Sequence, residues 1–483
     1  MKKNTLYFSD SQEDLTMASA LLKQGGTVIF PTETVYGLGA DALNPKAVEQ
    51  IFLAKGRPSD NPLIVHIANR EQLSGLVAEI PEKALILMDA FWPGPLTLIF
   101  KKSSSVPKTV TGGLDTVAIR MPKQPIAHKL LDIAQIPIAA PSANLSGKPS
   151  PTEFIHVKDD MDGRVDAIID GGNCQVGVES TVLDISGETP VLYRPGGITK
   201  EEIEAHIGTI QVVTKAKEGE TPKSPGLKYK HYAPDAEIQI LKGSFDQVKN
   251  YAETMAKQYK TAILTFDEFP SFSGSVMMYS LGSKDKPEDA ANRLFSALRF
   301  LDGENIEYIL APEIPDSGVW SAVRNRLYRA AGETIIDLNK MSILFVCTGN
   351  TCRSPMAEGL MKMMTQNENC TVSSAGLYAD GAPASKEAIL TMQGFGIDIS
   401  QHTSRQLTPE MIEEATLILT MTNAHRDMLL SITPQYKNKI RTLADWADAS
   451  EDVADPFGGD IQLYQQTADQ ILELLKKGWR KHQ

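Results

Sequence analysis

The stretch Met341–Pro355, MSILFVCTGNTCRSP, limits what this chain can fold into more than any other. An apolar run from Ile343 to Val346 reads as a buried strand that delivers Cys347, and Arg353 follows six positions later, past Gly349 and Asn350. Ser354, Pro355 and then Met356 to Glu358 read as the opening of a helix, with Pro355 in its first turn. A strand that passes through a short loop into a helix aims several backbone N–H groups at one point. With Arg353 and the positive helix end beside it, that point suits a phosphate dianion and favours thiolate over thiol at Cys347. A buried strand-end cysteine beside a capping arginine is the bland alternative. Cys, two loop formers, Arg and Ser in this order speak against it.

Most of the chain precedes this motif. Strand and helix patterns alternate almost throughout, so the class is α/β, and 483 residues suggest about three domains. The expected division is 1–208, a linker at 209–235, a small α/β unit at 236–338, and a final α/β unit at 341–483. In the first, strands are expected at Thr27–Phe30, Leu63–Ile67, Leu96–Phe100, Val117–Ile119, Ile136–Ala139 and Val182–Ile185. The linker KAKEGETPKSPGLKYKHYAP is dominated by Lys, Gly, Pro and Ser. The second unit repeats strand and helix in the rhythm of a parallel sheet. Met341 reads as the start of a once free-standing protein, which makes the chain a gene fusion.

A net charge of −12 argues against a chain built to coat nucleic acid or an anionic membrane. The polar start Met1–Ser11 and the lack of any long apolar run point to a cytoplasmic protein with no membrane partner. Four cysteines in so long a chain cannot form a disulfide scaffold, and their spacing with histidine suggests no metal site.

Three clusters before residue 200 are too polar and too rich in Gly and Pro to be core. Pro31–Gly39, PTETVYGLG, directly after a strand, reads as a loop with a capping Thr or, with Thr32 and Thr34, as a lined pocket. Lys55–His66, KGRPSDNPLIVH, places Lys55 and Arg57 around a glycine, a spacing that lets both cations reach one polyphosphate. Taken alone, that pair is equally a solvated surface pair, and His66 a satisfied strand histidine. Ala139–Ser150, AAPSANLSGKPS, offers Ser142, Asn144, Ser146 and Ser150. Arg120, Ser180, Thr181 and Arg194 sit at strand edges. Neither a Walker A pattern nor G-x-G-x-x-G is present, so the spacing describes an anion pocket that is not a P-loop.

The set PTETVYGLG, KGRP, NPLIVH, WPGPLT, VAIRMP, PSANLSG, ESTVLD and RPGG resembles the threonylcarbamoyl-AMP synthase family. SPGLKYKHYAP and the unit after it, with VWSAVRNRLYRAA near its end, resemble the long, two-domain form. The resemblance implies a twisted α/β fold with a deep cationic cavity. It also implies a reaction in which L-threonine, bicarbonate and ATP give threonylcarbamoyl-adenylate and pyrophosphate. Partner proteins then pass the threonylcarbamoyl group to tRNA. By motif, Thr34, His66, Arg120 and Ser180 would hold threonine, with Thr32 nearby. Lys55, Arg57, Asn61, Ser142, Asn144, Ser150 and Arg194 would hold ATP with its Mg2+, and Tyr232 would close over the nucleotide. Lys223, Lys228, Lys230 and His231 make the linker a candidate lid, or a plain basic tether. A non-catalytic RNA-binding module is the other reading of this segment. The acidic charge and the grooves poor in aromatic residues oppose it.

From Met341 to about Lys477 the chain resembles the low-molecular-weight protein phosphatases. That resemblance makes Cys347 the nucleophile that forms a phosphocysteine and Arg353 the phosphate clamp. Ser354 is the sulfur's hydrogen-bond partner and Asn350 a brace of the loop. Asp455, in the turn DPFGG, is the acid that protonates the leaving group. CTGNTCRSPMAE with Thr351 resembles the bacterial protein-arginine phosphatases, whereas a bulky aliphatic residue there accompanies phosphotyrosine preference. Phosphorylated proteins are the expected substrates, phosphoarginine ahead of phosphotyrosine. Only Cys370 follows the loop, too few cysteines for a thioredoxin-linked arsenate reductase. Cys352 is either a reversible disulfide partner of Cys347 or a packed bystander.

Overall fold

The computed structural model describes residues 3–480 apart from 57, 59–60, 214–231, 273, 340 and 366–369. It divides into two compact units, Met1–Ile336 and Asp337–Gln483. Among the described residues no helix is long and apolar enough to cross a membrane, and no cluster of His, Cys, Asp and Glu is arranged to hold a metal ion.

The first unit holds two sheets. The larger is mixed and eleven-stranded, and Gly37–Asp41, Ile138–Ala139, Ile64–His66, Thr116–Arg120, Leu96–Lys101, Thr181–Asp184 and Val191–Arg194 are neighbours in that order. These strands are short and rich in β-branched residues, with both faces covered, so several read as continuous apolar runs rather than alternations. The helix Pro45–Lys55 begins on an Asn44 cap with proline in its first turn. It ends at Gly56, whose φ of 63° terminates it just after Lys55.

Two expectations change here. PTETVYGLG is not loop throughout: Gly37–Asp41 is a strand paired antiparallel with Val28–Phe30. Gly39 permits the pairing, because a Cβ there would lie 2.7 Å from the Phe30 ring. The polar half, Thr32 to Thr34, is fully buried rather than outside the core, since its hydroxyls bond each other and the backbone. The expected linker also starts late, because Gln211–Val212 still pairs with Val191 and Leu192. Residues 214–231, with the candidate lid Lys223, Lys228, Lys230 and His231, lie outside the described residues.

The second sheet of this unit has five strands, with Met277–Ser280, Thr261–Thr265, Tyr308–Pro312, Glu237–Lys242 and Ile335–Asp337 in spatial order. The first four pair in parallel. A Ser244/Gln247 capping box starts the helix Phe245–Met255, and the helices Pro287–Gly303 and Trp320–Ala330 pack into the same core. The two layers meet closely. Asn292 Nδ2 donates to the carbonyls of Cys174 and Gln175 at 2.7 and 2.9 Å. A Cβ on Gly177 would lie 2.3 Å from Asn292 Cα.

The second unit is a four-stranded parallel sheet ordered Cys370–Gly376, Met341–Cys347, Leu417–Thr420, Ile440–Thr442. Its second strand carries the period-2 pattern: Ile343 and Phe345 enter one apolar cluster, Leu344 and Val346 the other. Arg353–Met364 and Ile461–Trp479 cover one face, and Asn423–Ile432 the opposite one. The helix after the phosphate loop begins at Arg353, one residue ahead of the expected start.

Candidate active sites

In the first unit the strand ends converge on a cleft whose walls include Thr32, Thr34, Lys55, His66, Ser142, Asn144, Ser180, Arg120, Arg194 and Tyr232. Strand pairing brings two of these together directly, since His66 stands opposite Arg120 in the register of their parallel strands. Arg120 is buried. Its Nη1 donates to Thr34 Oγ1 at 2.8 Å and its Nε to the Gly94 carbonyl at 3.2 Å. Glu33 Oε1 lies 2.7 Å from Arg120 Nη2, a charge contact off the hydrogen-bond direction. Burial works against the Glu33 carboxylate, yet Arg120 and the backbone amide of Lys123 hold it below the usual carboxylate range. Burial, reinforced by the Arg120 charge, pushes the His66 imidazole down to about 3. It is therefore neutral, and its buried Nδ1 has no hydrogen-bond partner among the described residues.

The opposite wall is cationic. Lys55 is buried, and its Nζ donates to the Ser142 carbonyl and, at 2.7 Å, to that of Asn144. It thus ties the helix end to the PSAN loop. Ser142 Oγ donates to Asn144 Oδ1 at 2.6 Å, and Asn144 Nδ2 bonds the Leu145 and Lys148 carbonyls. Arg194 donates from Nε to the Ser180 carbonyl at 3.0 Å and from Nη2 to Ser180 Oγ at 3.1 Å. Burial pulls Arg194 down to about 10, which leaves it charged at neutral pH. Tyr232 is buried at a φ of 67°, with its ring 5.2 Å from that of Phe295.

Two expected residues stand elsewhere. Ser150 is fully buried behind the wall, with its Oγ 2.5 Å from Glu179 Oε1. Asn61 is buried, is not among the described lining residues, and makes no side-chain hydrogen bond among the described residues. Arg57 lies outside the described residues. Glu179 was missed from the sequence and lines the cleft. Its only signal was its place in ESTVLD, before the expected Ser180.

In the second unit the loop after Cys347 wraps the sulfur. Ser354 Oγ is 2.9 Å from Cys347 Sγ, and the Asn350 amide donates to Sγ at 3.3 Å. Asn350 adopts a left-handed φ of 57°. Its Nδ2 donates to Ser354 Oγ and Ser374 Oγ, both at 2.8 Å, while its Oδ1 accepts from the Arg405 amide at 2.9 Å. That fully bonded side chain offsets the cost of the strained backbone. Gly376 makes room for the loop, because a Cβ there would lie 2.7 Å from the Thr348 carbonyl. Arg353, buried, reaches Asp455 Oδ2 at 2.7 Å, and Asp455 is half exposed. Thr351 Oγ1 lies 3.6 Å from Cys352 Sγ, whose other neighbours are Tyr464 Oη at 3.2 Å and Ser385 Oγ at 3.5 Å. His425, bonded to Thr348 Oγ1 and Thr422 Oγ1 at 2.8 Å each, was also missed. It comes from a distant helix, and nothing in the local sequence marks it.

Three family models match consecutive parts of the chain: "Telomere recombination" at residues 20–196, "Threonylcarbamoyl-AMP synthase, C-terminal domain" at 198–332, and "Low molecular weight phosphotyrosine protein phosphatase" at 342–481. The chain is 49% identical over 325 residues to the threonylcarbamoyl-AMP synthase of Pyrococcus abyssi, covering 67% of this chain and 95% of that protein. It is 43% identical over 141 residues to the protein-arginine-phosphatase of Bacillus subtilis, covering 28% of this chain and 93% of that protein. The crystal structure of P. abyssi Sua5 complexed with L-threonine superposes with a TM-score of 0.65 at 46% identity, over 69% of this chain and 99% of that one.

Proposed function

Because this chain belongs to the threonylcarbamoyl-AMP synthase family over its first two-thirds and to the low-molecular-weight protein phosphatases, beside protein-arginine phosphatase, over its last third, we propose that it runs two reactions at two sites. The first joins L-threonine, bicarbonate and ATP into threonylcarbamoyl-AMP, pyrophosphate and water, for transfer of the threonylcarbamoyl group to tRNA by other proteins. The second removes phosphate from phosphoarginine side chains of proteins.

The observation that carries the first reading is the convergence of Thr34, His66, Arg120, Ser180, Arg194 and Lys55 on one cleft. Its two walls differ in kind. The Thr34, His66 and Arg120 side offers hydroxyl, neutral imidazole and guanidinium, a set that suits a zwitterionic amino acid with a hydroxyl. The Lys55 and Arg194 side suits a polyphosphate. The carbamate formed on the threonine nitrogen attacks the α-phosphorus, and the bond to pyrophosphate breaks as charge grows on that leaving group. Preorganised cations stabilise that charge without reorganising. Mg2+ supplies further neutralisation when it accompanies ATP. The one carboxylate among the described lining residues, Glu179, is already engaged by Ser150 and Arg326, so the described walls offer the ion no free carboxylate. Threonine-dependent release of pyrophosphate from ATP tests this reading.

The second reading rests on the loop that holds Cys347 Sγ between Ser354 and the Asn350 amide with Arg353 adjacent. The sulfur of Cys347 attacks phosphorus, the phosphorus–nitrogen bond breaks, and Asp455 gives the departing guanidine its proton. Water, deprotonated by Asp455, then releases phosphate from the phosphocysteine. Thr351 places a small hydroxyl residue at this loop, which suits a guanidinium leaving group over an aryl ring. Comparing turnover of phosphoarginine and phosphotyrosine proteins tests the preference.

A further inference from the structure

The second layer of the first unit, residues 236–336, contributes none of the groups assigned to substrates above. Yet two of its arginines leave their own core and end in the loops behind the cleft. Arg326, on the helix Trp320–Ala330, is completely buried and uses every nitrogen of its guanidinium on the first layer. Nε donates to Glu179 Oε2 at 2.8 Å, Nη2 to the Glu179 carbonyl at 3.1 Å, and Nη1 to the carbonyl of Pro195. Arg299, on the helix Pro287–Gly303, donates from Nη2 to the Pro149 carbonyl at 2.6 Å and to Asp160 Oδ2 at 2.7 Å. Asp160 Oδ2 in turn accepts the Leu145 amide at 3.3 Å.

These attachments are not spread over the surface between the layers. Glu179 lines the cleft, Pro195 directly follows Arg194, and residues 145–149 are the loop between Asn144 and Ser150. The segments that carry Ser142 to Ser150 and Arg194, expected nucleotide contacts, are therefore pinned by guanidinium groups from the other layer. A rigid fork suits the task, since one arginine fixes a carboxylate and two carbonyls that lie sixteen residues apart in sequence, at 179 and 195. The threonine-side residues Thr34, His66 and Arg120 make no contact with either arginine. Ser180 Oγ, which Arg194 Nη2 bonds at 3.1 Å, is also held by Thr97 Oγ1 at 2.7 Å.

The geometry points to Arg326 as a positioning residue for ATP: a guanidinium supplied by the second layer that sets Glu179 and the Arg194 strand end in the nucleotide half of the synthase cleft. The second layer is thereby part of the synthase active site and not only an anchor for the segment before it. This rests on the assignment of ATP to that half of the cleft.

The test uses the full chain and Arg326→Lys, which keeps the positive charge but cannot hold three acceptors in one plane. KM is measured for ATP and for threonine by pyrophosphate release, with threonine binding followed calorimetrically without ATP. Misplacement of Arg194 is expected to raise KM for ATP about tenfold or more, while threonine affinity stays within about threefold of wild type. If Arg326→Lys does not bind threonine, Arg326→Gln/Glu179→Gln replaces it. That pair removes the two opposite charges together and still loses the fork, so the same rise in KM for ATP is expected. An unchanged KM for ATP in a threonine-binding variant overturns the proposal, and so does an equal rise for both substrates. A wild-type chain with no threonine-dependent pyrophosphate release would instead remove the assignment of ATP on which the proposal rests.

Discussion

Arg353 Nη2 and Asp455 Oδ2 are 2.7 Å apart, so the expected phosphate clamp and the expected proton donor are each other's partner across the mouth of the loop. An incoming phosphate competes with Asp455 for this guanidinium. Asp455→Asn is expected to lower kcat by about 10²- to 10⁴-fold through loss of the acid. It should also bind inorganic phosphate more tightly, because the anionic competitor for Arg353 is gone. Product inhibition measured on both proteins decides the point. A variant with an unchanged inhibition constant would show that the pair does not gate phosphate entry.

Thr351 gives the specificity test. Thr351→Ile replaces a hydroxyl beside the loop with bulk that favours an aryl ring and offers a guanidinium nothing. Phosphoarginine turnover should fall and the ratio of phosphotyrosine to phosphoarginine turnover should rise by about tenfold or more. A ratio that stays where it was removes Thr351 as the reason for choosing arginine.

Much of both sites was legible because local sequence builds them. Cys347, Asn350, Thr351, Arg353 and Ser354 lie on one strand–loop–helix, and Thr34, Lys55, His66 and Ser142 each follow or end a regular element. What escaped was nonlocal. Glu179 and Arg326 meet across 147 residues, and His425 reaches Thr348 from 77 residues away. No window of sequence records such encounters. Thr32 to Thr34 were misjudged as lying outside the core because polarity suggests exposure, whereas hydroxyls that satisfy one another can be buried whole. Ser150 was placed on the nucleotide by motif. In the structure its Oγ bonds Glu179, a residue of the cleft wall.

Each site draws every described group from its own unit, so the activities are expected to separate cleanly. Cys347→Ser should abolish phosphatase turnover, since an alcohol in that position is a far poorer nucleophile, and leave pyrophosphate release within about twofold of wild type. Loss of both activities in this variant, assayed on one preparation, would mean that the sites are coupled.

His66 provides a pH test. Its folded-state pKa lies near 3 against an ordinary 6.5, so the folded protein favours the neutral ring. The stability that this contributes is present in full above pH 6.5 and is lost as pH falls toward 3. Threonine affinity should accordingly show no inflection near pH 6.5 that His66→Gln removes. Calorimetric titrations between pH 5.5 and 8, roughly the range in which an unperturbed histidine titrates, would reveal one if the ring gained a proton on binding.

Glu179 shows how the two layers depend on each other's charge. Burial alone would raise its pKa, but Arg326 and then Arg194 outweigh it and bring the carboxylate to about 2, below an ordinary 4.5. A depressed carboxylate contributes stability that is present above its unfolded value and is lost as pH falls through the folded one. The first unit should therefore lose stability between about pH 4.5 and pH 2 by this route. Arg326→Met leaves the buried negative charge without its nearer cation, only Arg194 remaining, and should cost up to about 3–5 kcal/mol at pH 7. Adding Glu179→Gln in the same chain removes that charge, so most of the loss should return and the acid-side slope should flatten. Scanning calorimetry of the single and double variants at pH 7 and at pH 4 separates the possibilities. If the double variant is no more stable than the single one, the cost of Arg326→Met comes from packing and not from an orphaned charge.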